Sequence, residues 1–141
     1  MSYNFLVIKC NLNLPDGYGL KIFSGITHIV PGVEFMLALC RLAMEKGWTV
    51  GMLGNPNTKL AAKELYRLFP KLKITFAYDN PEADRLIEDY DALRYVDIFF
   101  LGLGHPSQEK FLWNCKLNIA HCPFRVGMGV GGSFDFISGQ V

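Results

Sequence analysis

The feature that most constrains this chain is a motif that recurs three times: a short, mostly apolar run that ends directly in glycine. Residues 48–53 (WTVGML) run into Gly54, residues 96–101 (VDIFFL) into Gly102, and residues 124–128 (FRVGM) into a segment holding Gly131 and Gly132. Runs without polar alternation belong to strands covered on both faces, as in parallel sheets flanked by crossover helices. The intervening segments have helical periodicity. Val33, Met36, Leu37, Cys40 and Met44 recur every three or four residues, with Pro31 placed for a first turn and Gly47 for a stop. Leu60, Leu65 and Leu68 mark a second helix that ends before Pro70. Further elements are expected as strands at 5–8 and 72–76, and as helices from Pro81 to about residue 91 (with Asn80 as N-cap) and from Pro106 to about residue 117. The expected fold class is α/β: a parallel sheet with helices on both faces, Rossmann-like, forming a single domain over residues 1–141. Right-handed crossovers would bring the C-terminal ends of all the strands to one edge, the edge at which such sheets bind ligands.

Composition narrows the function classes. Half of the 141 residues are apolar and 19% are charged, enough to fill a core and too apolar for disorder. A net charge of +1 supplies no field to recruit nucleic acid, so no nucleic-acid partner is expected. The apolar stretch 22–44 is interrupted by His28, Pro31, Gly32, Glu34 and Arg41, which argues for a helix within the fold and against a span of about 20 apolar residues. The first ten residues lack the basic n-region and cleavage site of a signal peptide, so a cytoplasmic location is expected. The four cysteines (Cys10, Cys40, Cys115 and Cys122) form no CxxC pair and match no structural zinc spacing. They read as reduced thiols.

Three glycine-bearing motifs are the candidates for chemistry. In residues 97–110 (DIFFLGLGHPSQEK), Gly102 and Gly104 follow a strand and Pro106 opens a helix. Glycines allow close approach of a ligand to the backbone, and a helix start directs free N–H groups at an anion, an arrangement suited to a diphosphate. Gln108 and Glu109 lie in the first turn, where the amide can donate and accept and the carboxylate pairs with the helix dipole. A dinucleotide fingerprint fits poorly, because Ser107 stands where the third glycine belongs and no acid follows about 20 residues later. In residues 129–139 (GVGGSFDFISG), Gly131 and Gly132 again permit close approach. Asp135, between two phenylalanines, is a ligand group, a cap or a buried hydrogen-bond acceptor. Residues 15–19 (PDGYG) read as a turn containing Asp16. No GxSxG elbow or HExxH helix is present, so a serine hydrolase or a zincin is unsupported.

Together and in this order, PDGYG, DIFFLGLGHPSQEKFLW and GVGGSFDFISG resemble the WecG/TagA/CpsF glycosyltransferases, with weaker support from VGMLGNPNTKLAAKELYRLFPKLKI. The resemblance covers residues 12–141. It implies an inverting transferase that moves an N-acetylmannosamine-type or related sugar from a UDP donor. The implied acceptor is an undecaprenyl-diphosphate-linked sugar, in teichoic acid or other bacterial surface polysaccharide biosynthesis. By the same resemblance Asp16 is the general base and Gln108 an active-site residue. Tyr78 stacks on the uracil, and Asp135 lies near the nucleotide. Gly54, Gly102, Gly104, Pro106, Glu109, Gly131 and Gly132 line the UDP-sugar site. His28 stands in residues 27–32 (THIVPG), where the family carries an arginine, and is the expected substitute. The UDP-sugar is a substrate, with no resident cofactor and no metal expected. Homo-oligomer formation and peripheral attachment at the inner face of the membrane are further expectations. So is the placement of the family's leading strand–helix and basic C-terminal appendage outside these residues. The alternative is a truncated or degenerate paralogue that binds nucleotide or a partner without catalysis.

Overall fold

The computed structural model describes residues 32–54, 56–79, 93, 95–103, 111 and 124–139. The expected strand at 5–8 and most of the expected helices at 81–91 and 106–117 lie outside the described residues, as do Cys10, Cys115 and Cys122. Helix α1 (Gly32–Lys46) buries Met36, Cys40 and Ala43 along one stripe. It ends at Gly47, whose φ of 72° only glycine adopts readily, and the Trp48 N–H returns to the Ala43 carbonyl at 2.9 Å. Strand β1 (Thr49–Gly54) follows at once, then α2 (Thr58–Leu68) and β2 (Lys73–Tyr78). The remaining described elements are β3 (Ile98–Gly102), β4 (Val126–Gly129) and a short α3 (Ser133–Ser138). The sheet is parallel throughout, in the order β2-β1-β3-β4.

The two faces of the sheet carry separate cores. Val50, Met52, Ile98 and Phe100 point to one face and pack with Met36 and Cys40 of α1, Ala61 and Leu65 of α2, and Phe134 of α3. Leu53, Phe76, Phe99 and Leu101 point to the other and pack with Leu93, Val96 and Phe111. The β1-α2-β2 crossover places α2 on the first face, and Phe111, from the sequence between β3 and β4, packs on the second. A register shift between Val50 and Gly51 leaves Thr75 as the extra residue of a bulge and sets Phe76 over Gly51. An added Cβ at Gly51 would lie 2.5 Å from that ring.

The N-terminal edge of the sheet is closed by polar groups. The Thr49 N–H donates to Asp97 Oδ2 at 2.9 Å, and the Asp97 N–H donates to Thr49 Oγ1 at 3.1 Å. Thr49 Oγ1 also donates to the Tyr95 carbonyl at 2.5 Å. Arg125 lies 3.5 Å from Asp97 Oδ1, and its guanidinium sits 4.7 Å above the Trp48 ring.

Candidate functional site

At the opposite edge, among the described residues, lie the turns that follow β1 and β4 and the end of β3. Strands β1 and β3 pair up to their final glycines, Gly54 beside Gly102. The chain leaves β1 toward β2 on one side, while β3 flanks it on the other, which makes this pair the topological switch point of the sheet. Open parallel sheets hold their ligands in the crevice outside that point.

Phe134 lies beneath both glycines. A Cβ added at Gly54 would sit 2.8 Å from its ring, and one added at Gly102 would sit 2.7 Å from it. The space expected to admit a ligand beside Gly54 and Gly102 therefore has an internal occupant on this face, and the missing Cβ atoms serve packing there. Gly131 and Gly132 differ: an added Cβ at either meets nothing within 4 Å, and Gly131 has a φ of 54°. Helix α3 begins just beyond them, with the Ser133 N–H on the Val130 carbonyl at 3.0 Å, and Gly139 closes it in the left-handed region.

Asp135 follows Phe134 and accepts a hydrogen bond from Asn57 Nδ2 at 2.6 Å. Asn57 occupies the N-cap of α2 yet makes no side-chain cap bond, since its amide is directed at Asp135. The N-cap of α2 is thus latched to the first turn of α3. Of the readings of Asp135, a hydrogen-bond acceptor is present, though it is partly rather than fully buried.

One strand further out, Tyr78 ends β2. Its ring stacks on Phe76 with centroids 4.9 Å apart and planes at 22°, and Phe76 in turn meets Phe99 edge-on at 6.0 Å. A partly exposed aromatic ring is therefore supported from beneath at the rim. Asp79 follows. Its Oδ2 lies 4.0 Å from Lys59 Nζ of α2, while its Oδ1 is buried and receives no hydrogen bond among the described residues.

Gly54, Gly102, Gly131, Gly132 and Asp135 are thus gathered at the switch point, with Tyr78 beside them. Asp16, His28, Gly104, Pro106, Gln108 and Glu109 lie outside the described residues. Phe134, Asn57 and Asp79 escaped the sequence reading. Gly139 as a helix stop could have revealed the short helix that carries Phe134, whereas Asp79 had no such signal because the strand expected to end at residue 76 runs on to Tyr78. Among the described residues no group of three or more His, Cys, Asp or Glu is placed to hold a metal ion. Burial pushes the Cys40 thiol up to about 12, which leaves it a neutral packing group. Among the same residues, no helix is long and apolar enough to cross a membrane.

Known proteins sharpen this picture. The chain is 31% identical to an N-acetylglucosaminyldiphosphoundecaprenol N-acetyl-beta-D-mannosaminyltransferase of Bacillus subtilis (strain 168), over 99% of the chain and 57% of that protein. It is 29% identical to the enzyme of the same name from Bacillus spizizenii, over 99% of the chain and 56% of the relative. For the one from Staphylococcus aureus (strain MRSA252), identity is 26%, over 98% of the chain and 56% of the relative. The chain therefore spans just over half the length of the curated relatives it matches. The family described as "Glycosyl transferase WecG/TagA/CpsF family" matches residues 2–141, and with the parallel sheet and its glycine-rich edge this establishes that the chain belongs to that family.

Proposed function

We propose that the chain carries the donor-binding and catalytic part of an inverting glycosyltransferase. In this reading it transfers N-acetylmannosamine, or a related sugar, from UDP to an N-acetylglucosamine linked to undecaprenyl diphosphate. The observation that carries the reading is the gathering of Gly54, Gly102, Gly131, Gly132 and Asp135 at the switch point of a parallel sheet, in a chain of this family. The names of the relatives support the sugar and the acceptor.

The chemistry assigns each group a task. The uracil stacks on Tyr78, whose far ring face is backed by Phe76. In this reading the diphosphate is met by backbone N–H groups of Gly102, Leu103, Gly104 and His105, with Gln108 and Glu109 following in the sequence motif that the family resemblance assigns to the donor. The acceptor hydroxyl attacks the anomeric carbon from the face opposite UDP, and the bond from that carbon to the diphosphate oxygen breaks with its electron pair leaving on UDP. Asp16 takes the hydroxyl proton as the new bond forms. His28 helps to meet the charge that develops on the leaving diphosphate, together with the backbone amides. The transfer is proposed to run without a resident metal, at the inner face of the membrane, in a homo-oligomer.

The test is release of UDP on mixing the chain with UDP-N-acetylmannosamine and a short-chain lipid-diphosphate N-acetylglucosamine. The expected result is release that Asp16→Asn abolishes and that EDTA leaves unchanged. The sequence holds an Asp-x-Asp tripeptide, Asp89 to Asp91, so loss of activity in EDTA would assign a metal to the reaction. UDP binding with no release above the Asp16→Asn control would identify the chain as a nucleotide-binding unit without turnover.

A further inference from the structure

We propose that Asp79 is a ribose-binding residue, accepting hydrogen bonds from the vicinal hydroxyls of the nucleoside diphosphate. The inference rests on the nucleotide reading above and adds to it a residue that determines nucleoside specificity.

Its position is the first argument. The β1–turn–α2–β2 unit is a parallel βαβ unit with its turn at the ligand-binding edge, and Asp79 is the first residue beyond its second strand. In mononucleotide-binding βαβ units an acid near the end of the second strand receives the ribose hydroxyls. Leu53 pairs with Tyr78, so Asp79 stands beside Gly54 at the switch point. Beyond the bulge, successive residues of β2 alternate faces. Ala77 packs on the side of α2 and Tyr78 on the other, which returns Asp79 to the side of α2, where Lys59 meets it.

The second argument is chemical. An ionised carboxylate only accepts hydrogen bonds. Asp79 Oδ1 is withdrawn from solvent and has no donor among the described residues, and Oδ2 has Lys59 only at 4.0 Å. A desolvated acceptor without a donor is unfavourable, and the group that relieves it must bring O–H or N–H bonds. Phosphate oxygens cannot do this, whereas a cis-diol brings two donors. The side chain is 29% exposed and the torsion of its carboxylate is broad, so a partial turn brings both oxygens within reach of the rim. A base on Tyr78 and a diphosphate after β3 leave the ribose over the ends of β2 and β1, beside this carboxylate.

The test is calorimetric titration of the full chain with UDP and with 2′,3′-dideoxy-UDP, for the wild type and for Asp79→Asn. The wild type is expected to bind the dideoxy compound about ten- to a hundredfold more weakly than UDP, as loss of a charged hydrogen bond implies. Asp79→Asn is expected to lose most of that discrimination, weakening UDP while binding dideoxy-UDP as the wild type does. Equal affinity of the wild type for the two compounds overturns the inference and leaves the nucleotide reading standing. So does a variant that weakens both compounds alike. Absence of UDP binding by the wild type overturns the nucleotide reading, and the inference with it. Should the variant fail to fold, the comparison of the two compounds on the wild type still decides.

Discussion

The two edges of this sheet each carry an aspartate that bonds to a residue distant in sequence, and they use it differently. At the N-terminal edge, Asp97 accepts from the Thr49 backbone, gives its own N–H to Thr49 Oγ1 and faces Arg125, which also covers Trp48. Its partners all come from the starts of neighbouring strands, so the carboxylate works as a rivet. At the C-terminal edge, Asp135 is latched to Asn57 but stays partly exposed, and Asp79 keeps an oxygen without a donor among the described residues. The contrast follows from the parallel arrangement. Every strand begins at one edge and ends at the other, so closing the first edge can be devoted to stability while the second stays available to a ligand.

Substitutions at each edge can break that division. The largest effect is expected from Phe134→Ala, which removes the ring beneath Gly54 and Gly102 and should cost about 3–5 kcal/mol in urea unfolding while weakening UDP binding. A loss below about 1 kcal/mol would mean that α3 does not support the edge. Asp97→Ala should cost about 2–3 kcal/mol with UDP affinity unchanged; altered affinity would mean that the two edges are not independent. Gly102→Ala brings a Cβ to 2.7 Å from the Phe134 ring and should cost about 1–3 kcal/mol. Combined with Phe134→Ala, that penalty should largely vanish, a coupling that a double-mutant cycle reads directly. The smallest effect on stability belongs to Asn57→Ala, about 1 kcal/mol, with a larger fractional loss in UDP binding as Asp135 is released. Equal stability losses with no change in binding would make the latch merely structural.

Much of the architecture was legible in the sequence because it rests on local signals. The unbroken apolar run that includes Phe99 and Phe100 predicts a strand covered on both faces, and Gly47 predicts the end of α1. The strand limits shift by one to two residues toward the C-terminus. Val96 and Phe124 are apolar because they pack, whereas Gly54, Gly102 and Gly129 extend the ladder through backbone alone. Helix α3 escaped notice because six residues are too few to show a 3.6-residue period. At the candidate site, the glycine turns could be located but not their occupant. Phe134 meets Gly54 and Gly102 only after the chain has folded, and the Asn57–Asp135 bond joins residues 78 positions apart. No local pattern encodes such contacts, and the carboxylate after β2 gains its meaning only from the strand order.

The position of Phe134 in the chain also sets the order in which the protein becomes competent during synthesis. β1, α2, β2 and β3 all leave the ribosome before the residue that fills the space beneath Gly54 and Gly102. At roughly 5–20 residues per second, the interval between Gly102 and Phe134 lasts on the order of 2–6 s. For that interval the nascent chain has strands able to pair but no ring yet beneath Gly54 and Gly102. The ring that supports this edge is thus the last of the described buried core side chains to be made.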